Sequence, residues 1–248
     1  MGRSTLMLLI DCDFLAYKAA QACEEGIDFG NDVIIAQSNF SEVLKIFERE
    51  LKKVTRAMMD DDFILYFSST SNFRKEIFDG YKGHRNRRKP LGYRRLVNHC
   101  CKEYNHCIRE GLEADDSIGI DATRWGKRVG ENIIVSPDKD MRQIPGTLWN
   151  MVDDVEEITK EEGEKWHLIQ SMAGDPTDGY PGCPGIGVKR ATELLNKSTN
   201  KWEAICNAYK ERGLSDDDAL LNARLAKILQ HADYDYDRKK PILWTPVL

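Results

Sequence analysis

The chain lacks any apolar run long enough to cross a bilayer. A span needs about 20 consecutive apolar residues, and the run Leu6–Ile10 ends at once on Asp11. That early charge also argues against a secretory leader. Paired-cysteine spacing is missing as well. The seven cysteines are an odd number without a CxxC pair, which points to free thiols in a reducing compartment. His99-Cys100-Cys101 with His106-Cys107 matches no common zinc spacing. There are no internal repeats and no low-complexity tract, so solenoids and disordered tails are set aside. What remains is a globular composition, 41% hydrophobic and 31% charged over 248 residues. That length suits one large domain or a core with a subdomain. The net charge of −5 argues against a nucleic-acid partner only if the total mattered more than its distribution.

One further deficit is local. From Gly80 to Lys102 there is no acid, while Lys82, Arg85, Arg87, Arg88, Lys89, Arg94, Arg95 and Lys102 crowd the same stretch. A one-signed run in an acidic protein repels itself unless it has a partner. Tyr81 and Tyr93 interleave with the charges and suit base stacking, so the segment reads as phosphate-binding.

The rest of the chain alternates strand and helix. Leu6–Ile10, Phe63–Phe67, Tyr104–Ile108, Asn132–Val135 and Leu148–Met151 read as short strands. Helices are expected from Phe14 to about Glu24, capped by Asp13, and from Ser41 to about Met59. A third is expected from Ala114 to about Arg128, with Ile118, Ala122, Trp125 and Val129 as its core stripe. This alternation implies a parallel sheet covered on both faces. After the acid-rich connection Asp153–Glu164 the pattern turns helical, with Ser215 as the expected cap of a helix running to Gln230. Gly182-Cys183-Pro184-Gly185-Ile186-Gly187 feeds a helix opening on Lys189 and Arg190. Such a turn leaves backbone N–H groups bare for a phosphate, and cations in a helix's first turn make sense beside an anion.

The acids carry the chemistry. Glu113, Asp115 and Asp116 cluster at one helix start. Asp11, Asp138 and Asp140 follow strands, where open α/β sheets place ligands, and Asp175 and Asp178 follow a helix. Converging carboxylates need cations to offset their repulsion, and an oxygen-only donor set suits Mg²⁺ or Mn²⁺.

In their order, Leu9-Ile10-Asp11, Asn72-Phe73-Arg74-Lys75-Glu76, Tyr81-Lys82-Gly83-His84-Arg85, Leu112-Glu113-Ala114-Asp115-Asp116, Ser136-Pro137-Asp138-Lys139-Asp140, Gly174-Asp175-Pro176-Thr177-Asp178-Gly179 and the hairpin Gly182–Ala191 resemble the 5′-nuclease family. That family comprises flap endonucleases and 5′–3′ exonucleases, with the phage replication exonucleases nearest in pattern. The resemblance implies an α/β fold with a PIN-like parallel-sheet core, helices on both faces, over residues 1–158. A basic arch is implied over about 80–102, and a helical subdomain with a helix-hairpin-helix over 159–248. It implies a metal-dependent nuclease acting from 5′ ends of DNA, or of an RNA primer, in phage-type replication.

Two Mg²⁺ or Mn²⁺ ions are implied. Asp11, Glu113, Asp115 and Asp138 would serve the first, and Asp116, Asp140, Asp175 and Asp178 the second. Lys82 and Arg85 would face the scissile phosphate. Tyr81, Arg87, Arg88, Lys89, Gly185, Gly187, Lys189 and Arg190 would hold DNA, with a K⁺ ion at the hairpin. The implied partners are duplex or flapped DNA, or an RNA–DNA hybrid, bound by a monomer in the cytoplasm, away from membranes.

One departure stands out. The family has an aspartate just past the second of these strands, where this chain reads Phe67-Ser68-Ser69-Thr70, and no acid lies between Asp62 and Glu76. The alternatives are a DNA-binding relative with weak or no catalysis and a PIN-type endoribonuclease.

Overall fold

The computed structural model describes residues 7–85, 88–124, 132–153 and 155–246. A six-stranded sheet forms its centre, in the order β5-β4-β1-β6-β7-β8. The strands are β1 (Met7–Asp11), β4 (Phe63–Tyr66), β5 (His106–Cys107), β6 (Asn132–Val135), β7 (Gly146–Trp149) and β8 (Glu156–Ile158). All pairs are parallel except β7 with β8. The expected parallel sheet thus gains one antiparallel edge strand, drawn from the acid-rich stretch that reads as a plain connection.

β1 is the axis of the sheet. Leu8, Leu9 and Ile10 are fully buried, as a strand covered on both faces requires. On one face pack α1 (Cys12–Ala22), α2 (Phe40–Met58) and α4 (Tyr93–Glu103), through Leu15, Phe47 and Leu96. On the other pack α5 (Ala114–Ala122) and a 3₁₀ turn over Lys139–Gln143, through Ile118 and Met141. The short α3 (Arg74–Ile77) follows the loop after β4. Because β4 and β6 flank β1 on opposite sides, the loops after all three strands open at the point where the strand order reverses.

Local details differ from the sequence reading. α1 begins at Cys12, so Asp13 lies inside its first turn and caps nothing. Asn39, not Ser41, caps α2 by accepting from Ser41 N. A hairpin of β2 (Glu24–Asp28) and β3 (Ile34–Ser38) occupies a region with no readable periodicity. Trp125, Arg128 and Val129 lie outside the described residues. The basic stretch is not one arch, since its second half is α4, anchored in the core by Tyr93, Leu96 and Cys100.

A second core lies among α6 (Lys160–Ala173), α7 (Val188–Lys197), α8 (Lys201–Lys210) and α9 (Asp216–Ala226), around Met172, Leu195, Ile205 and Tyr209. Thr159 and Ser215 cap α6 and α9, the latter as the sequence predicts. The chain then returns to the sheet. Ile228 packs with Ile118 and Ile144, and Leu229 with Leu112 and Ile120. A small ladder of β9 (Tyr234–Asp235) and β10 (Lys240–Pro241) follows. Among the described residues no helix is long and apolar enough to cross a membrane, and all seven cysteines are free.

Candidate active site

A cleft of about 440 Å³ opens beyond the carboxyl ends of β1, β4 and β6. Asp11, Glu113, Asp115 and Asp138 line it, together with Lys82 and Arg85. Asp11 ends β1, and its Oδ2 accepts from Ser136 Oγ at 2.9 Å. The same hydroxyl accepts from Asp138 N at 3.2 Å, so one serine sets the spacing of two site acids. Asp138 in turn accepts from Asp140 N at 2.9 Å. Burial, with Asp13 and Asp138 nearby, pushes Asp11 up to about 7. Burial and the adjoining Asp116 and Glu113 likewise raise Asp115.

A second acid group adjoins the first. Asp140 is pushed up to about 7 by burial, Asp138 and Asp175. It accepts from Gln170 Nε2 at 2.6 Å, which ties the end of the sheet to α6. Asp175 closes a tight turn by accepting from Thr177 N at 2.6 Å. In that turn Gly179 has φ +82°, and a Cβ there would meet the Gly80 carbonyl oxygen at 2.7 Å. Only a glycine lets the base of the basic stretch come so near. The docking is completed by Lys82 N donating to Asp178 O at 2.7 Å.

Tyr81 and Lys82 join the two groups. The Tyr81 hydroxyl lies 2.7 Å from Glu113 Oε2 and 2.9 Å from Asp178 Oδ2, with one proton to share between them. Lys82 Nζ pairs with Glu113 and lies 3.4 Å from Asp178. Burial opposes ionisation of Glu113, but Lys82 and Arg74 outweigh it and hold the group below the usual range. Lys82 adopts φ +53°, a strained geometry for a side-chain-bearing residue, of the kind functional sites retain. Arg85 pairs with Asp178 at 2.7 Å and donates to Thr177 O.

Three expectations need correction. Asp116 is fully buried, and its carboxylate is taken up by Arg74 at 2.7 and 2.8 Å, by Leu229 N at 3.1 Å and by Glu113 N at 3.3 Å. With one or more donors on each oxygen it serves as an internal anchor rather than a cation ligand. Tyr81 is 2% exposed, so its ring cannot stack on a base. Tyr93 is also buried, and its hydroxyl donates to Asp13 at 2.6 Å.

Arg88 forms a two-pronged pair with Glu24 at the root of the hairpin. Lys89 lines the cleft, with its ammonium over the Tyr93 ring. Arg87 lies outside the described residues. Gly185, Gly187, Lys189 and Arg190 are exposed where α7 starts, and no side chain caps that end. The cleft also takes in residues to which the sequence reading gives no site role: Asp13, read there as a helix cap, and Phe14, Tyr17, Asn72 and Lys75. Phe14 and Tyr17 are 41% and 39% exposed, and their three-residue spacing on a helix was the available signal.

Among the described residues no three His, Cys, Asp or Glu side chains stand close enough to form a ready metal cage. The donor chemistry nonetheless fits hard cations. The charged donors are carboxylates, and Asp11, Asp115 and Asp140 are all held above their usual range by burial first and by neighbouring acids second.

Comparison with known proteins agrees with this geometry. Residues 6–168 match the model of the 5′-3′ exonuclease, N-terminal resolvase-like domain. The exodeoxyribonuclease of Enterobacteria phage T3 is 29% identical, over 97% of this chain and 93% of its own. A flap endonuclease, Xni, of Shewanella frigidimarina is 29% identical over 68% of this chain and 72% of its own. Among solved structures, phage T5 5′-exonuclease with bound zinc superimposes with a TM-score of 0.64 at 16% identity, over 90% of this chain and 89% of that one. The sheet, the acids at its switch point and these matches together place the chain in the 5′-3′ exonuclease family.

Proposed function

We propose that this protein is a metal-dependent 5′–3′ exonuclease and flap endonuclease that hydrolyses DNA phosphodiesters to leave 5′-phosphates. The observation that carries the reading is the gathering of Asp11, Glu113, Asp115 and Asp138 around one cleft that also presents Lys82 and Arg85. The phage T3 and T7 relatives are an exodeoxyribonuclease and an exonuclease, and the Shewanella relatives are flap endonucleases.

Two Mg²⁺ or Mn²⁺ ions fit the acids, one at Asp11, Glu113, Asp115 and Asp138, the other at Asp140, Asp175 and Asp178. Bound there, such ions supply water activation and leaving-group stabilisation for in-line displacement at phosphorus. The chain's own groups do the rest. Lys82 and Arg85, now paired with Glu113 and Asp178, turn to the non-bridging oxygens as charge builds there. Arg88, Lys89 and Lys75 add positive charge along the approaching strand. The uncapped start of α7, with Gly185, Gly187, Lys189 and Arg190, suits a duplex phosphate in a helix-hairpin-helix, with K⁺ as its companion ion. In this reading residues 1–158 form the nuclease core and 159–248 the duplex-holding subdomain. The protein acts as a monomer in the cytoplasm of a phage host, on DNA or on RNA–DNA hybrid.

A 5′-labelled duplex tests this. Mg²⁺-dependent release of 5′ nucleotides is expected from the native chain and lost in Asp138→Ala. Undiminished release by the variant overturns the assignment. Binding without cleavage in Mg²⁺ or Mn²⁺ would make the protein a DNA-binding relative instead.

A further inference from the structure

The loop after β4 brings Ser68, Ser69 and Thr70 to the cleft and no acid, although the family pattern has a carboxylate there. We propose that Asp13, from the first turn of α1, supplies that missing charge and is a further cation ligand of the site, an inference that rests on the metal-dependent reading above.

Three observations support it. First, Asp13 lines the same cleft as Asp11, Asp115 and Asp138. Second, its carboxylate does not fold back on its own helix, as an acid in a first turn would to cap bare N–H groups. It reaches across to the β4 loop, where Oδ2 accepts from the backbone N of Ser68 at 3.1 Å. The charge therefore sits against the backbone from which an aspartate at position 68 would project. Third, Oδ1 accepts from the Tyr93 hydroxyl at 2.6 Å, so the side chain is held from two sides and cannot swing away from the cleft. A carboxylate has about four lone-pair sites, and each oxygen keeps capacity after one hydrogen bond. Among the described residues neither Asp11 nor Asp13 forms an ion pair, and the cleft's Lys82 and Arg85 are paired with Glu113 and Asp178 instead. Ser68 itself is committed elsewhere, since its Oγ accepts from Ala114 N at 3.1 Å and so satisfies the start of α5. Serine at the loop and aspartate at the helix thus divide between them what one loop aspartate could do.

The rival role for Asp13 is mechanical, as a clamp joining α1, the β4 loop and α4. The experiment separates the two without relying on turnover. Mn²⁺ is titrated calorimetrically into the full chain without DNA, and melting is recorded in EDTA. Asp13→Asn is expected to weaken Mn²⁺ binding by about tenfold or more while melting in EDTA near the native temperature. Asp13→Asn with Ser68→Asp is expected to recover the affinity, because aspartate at 68 can still accept from Ala114 N. Tyr93→Phe, which removes a clamp bond and no charge, is expected to bind Mn²⁺ as the native chain does. The inference falls if Asp13→Asn binds Mn²⁺ unchanged, if the double variant stays as weak as the single one, or if Tyr93→Phe is equally weak. Asp138→Asn serves as reference. If it too leaves Mn²⁺ binding untouched, the metal-dependent reading fails; if it weakens binding while Asp13→Asn does not, only the role of Asp13 fails.

Discussion

Arg74 grips Asp116 with two guanidinium N–H groups, at 2.7 and 2.8 Å, where both side chains are almost wholly out of water. The same guanidinium donates to the carbonyls of Leu225 and Lys227, so one buried cation fastens α5 to the end of the helical subdomain. Removing one member of a buried pair strands the other charge, at a cost of about 3–5 kcal/mol. Asp116→Ala is therefore expected to lower stability by that order in denaturant melts. Asp115→Asn removes a carboxylate that burial and like charges already disfavour, and it is expected to leave melting in EDTA unchanged or raised. Equal losses for the two variants would show that Asp116 is not an anchor.

Aromatic residues divide between structure and surface in the same way. Phe14 and Tyr17 are exposed on the rim of the cleft, whereas Tyr81 is enclosed and engaged with two acids. Base stacking on an exposed ring is worth about 1–3 kcal/mol per base. Tyr17→Ala and Phe14→Ala are expected to weaken binding to a single-stranded 5′ overhang by that order, in fluorescence anisotropy with Ca²⁺ in place of a catalytic ion. Loss of affinity in neither variant would move the strand path away from this rim.

His167 gives the helical subdomain a pH signature. It is buried against α9, with Nε2 2.8 Å from Ala223 O, and burial aided by Lys227 lowers it from 6.5 to about 3. The folded state thus holds the ring neutral, while the unfolded chain takes up a proton once pH falls below about 6.5. Its contribution is complete above that value and is lost as pH falls toward 3, at about 1.4 kcal/mol per pH unit. In urea melts between pH 7 and 4.5, where Asp11 and Asp140 act in the opposite sense, the native chain should lose stability relative to His167→Gln by about 1.4 kcal/mol per pH unit below about 6.5. Equal slopes would mean that the ring is not buried neutral.

Much of this arrangement was legible in the sequence because local pattern and global role coincide. Leu8-Leu9-Ile10 can only be a strand covered on both sides, and Asn132–Val135 matches the observed β6 residue for residue. Asp11 and Asp138 were readable as site acids because sheet topology alone fixes where such strand ends meet. Asp116 was not, because its partner lies 42 positions away and nothing near it in sequence marks the pairing. Tyr81 misled for a related reason, since a tyrosine among arginines gives no sign that its hydroxyl turns inward. The β2–β3 hairpin escaped because Phe29, Val33, Ile34 and Ile35 are exposed, so no burial imposes a period on it.

The returning segment after α9 has a consequence for how the protein matures. Leu229 N bonds Asp116, Ile228 N bonds Gln143, and the Leu229 carbonyl crowds Gly119 so closely that a Cβ there would meet it at 2.3 Å. The half that bears the acids is therefore completed by a segment 113 positions further along the chain than Asp116. Asp116 and Gln143 leave the ribosome before the segment that bonds them, so the acid-bearing half settles only once Ile228 and Leu229 have followed.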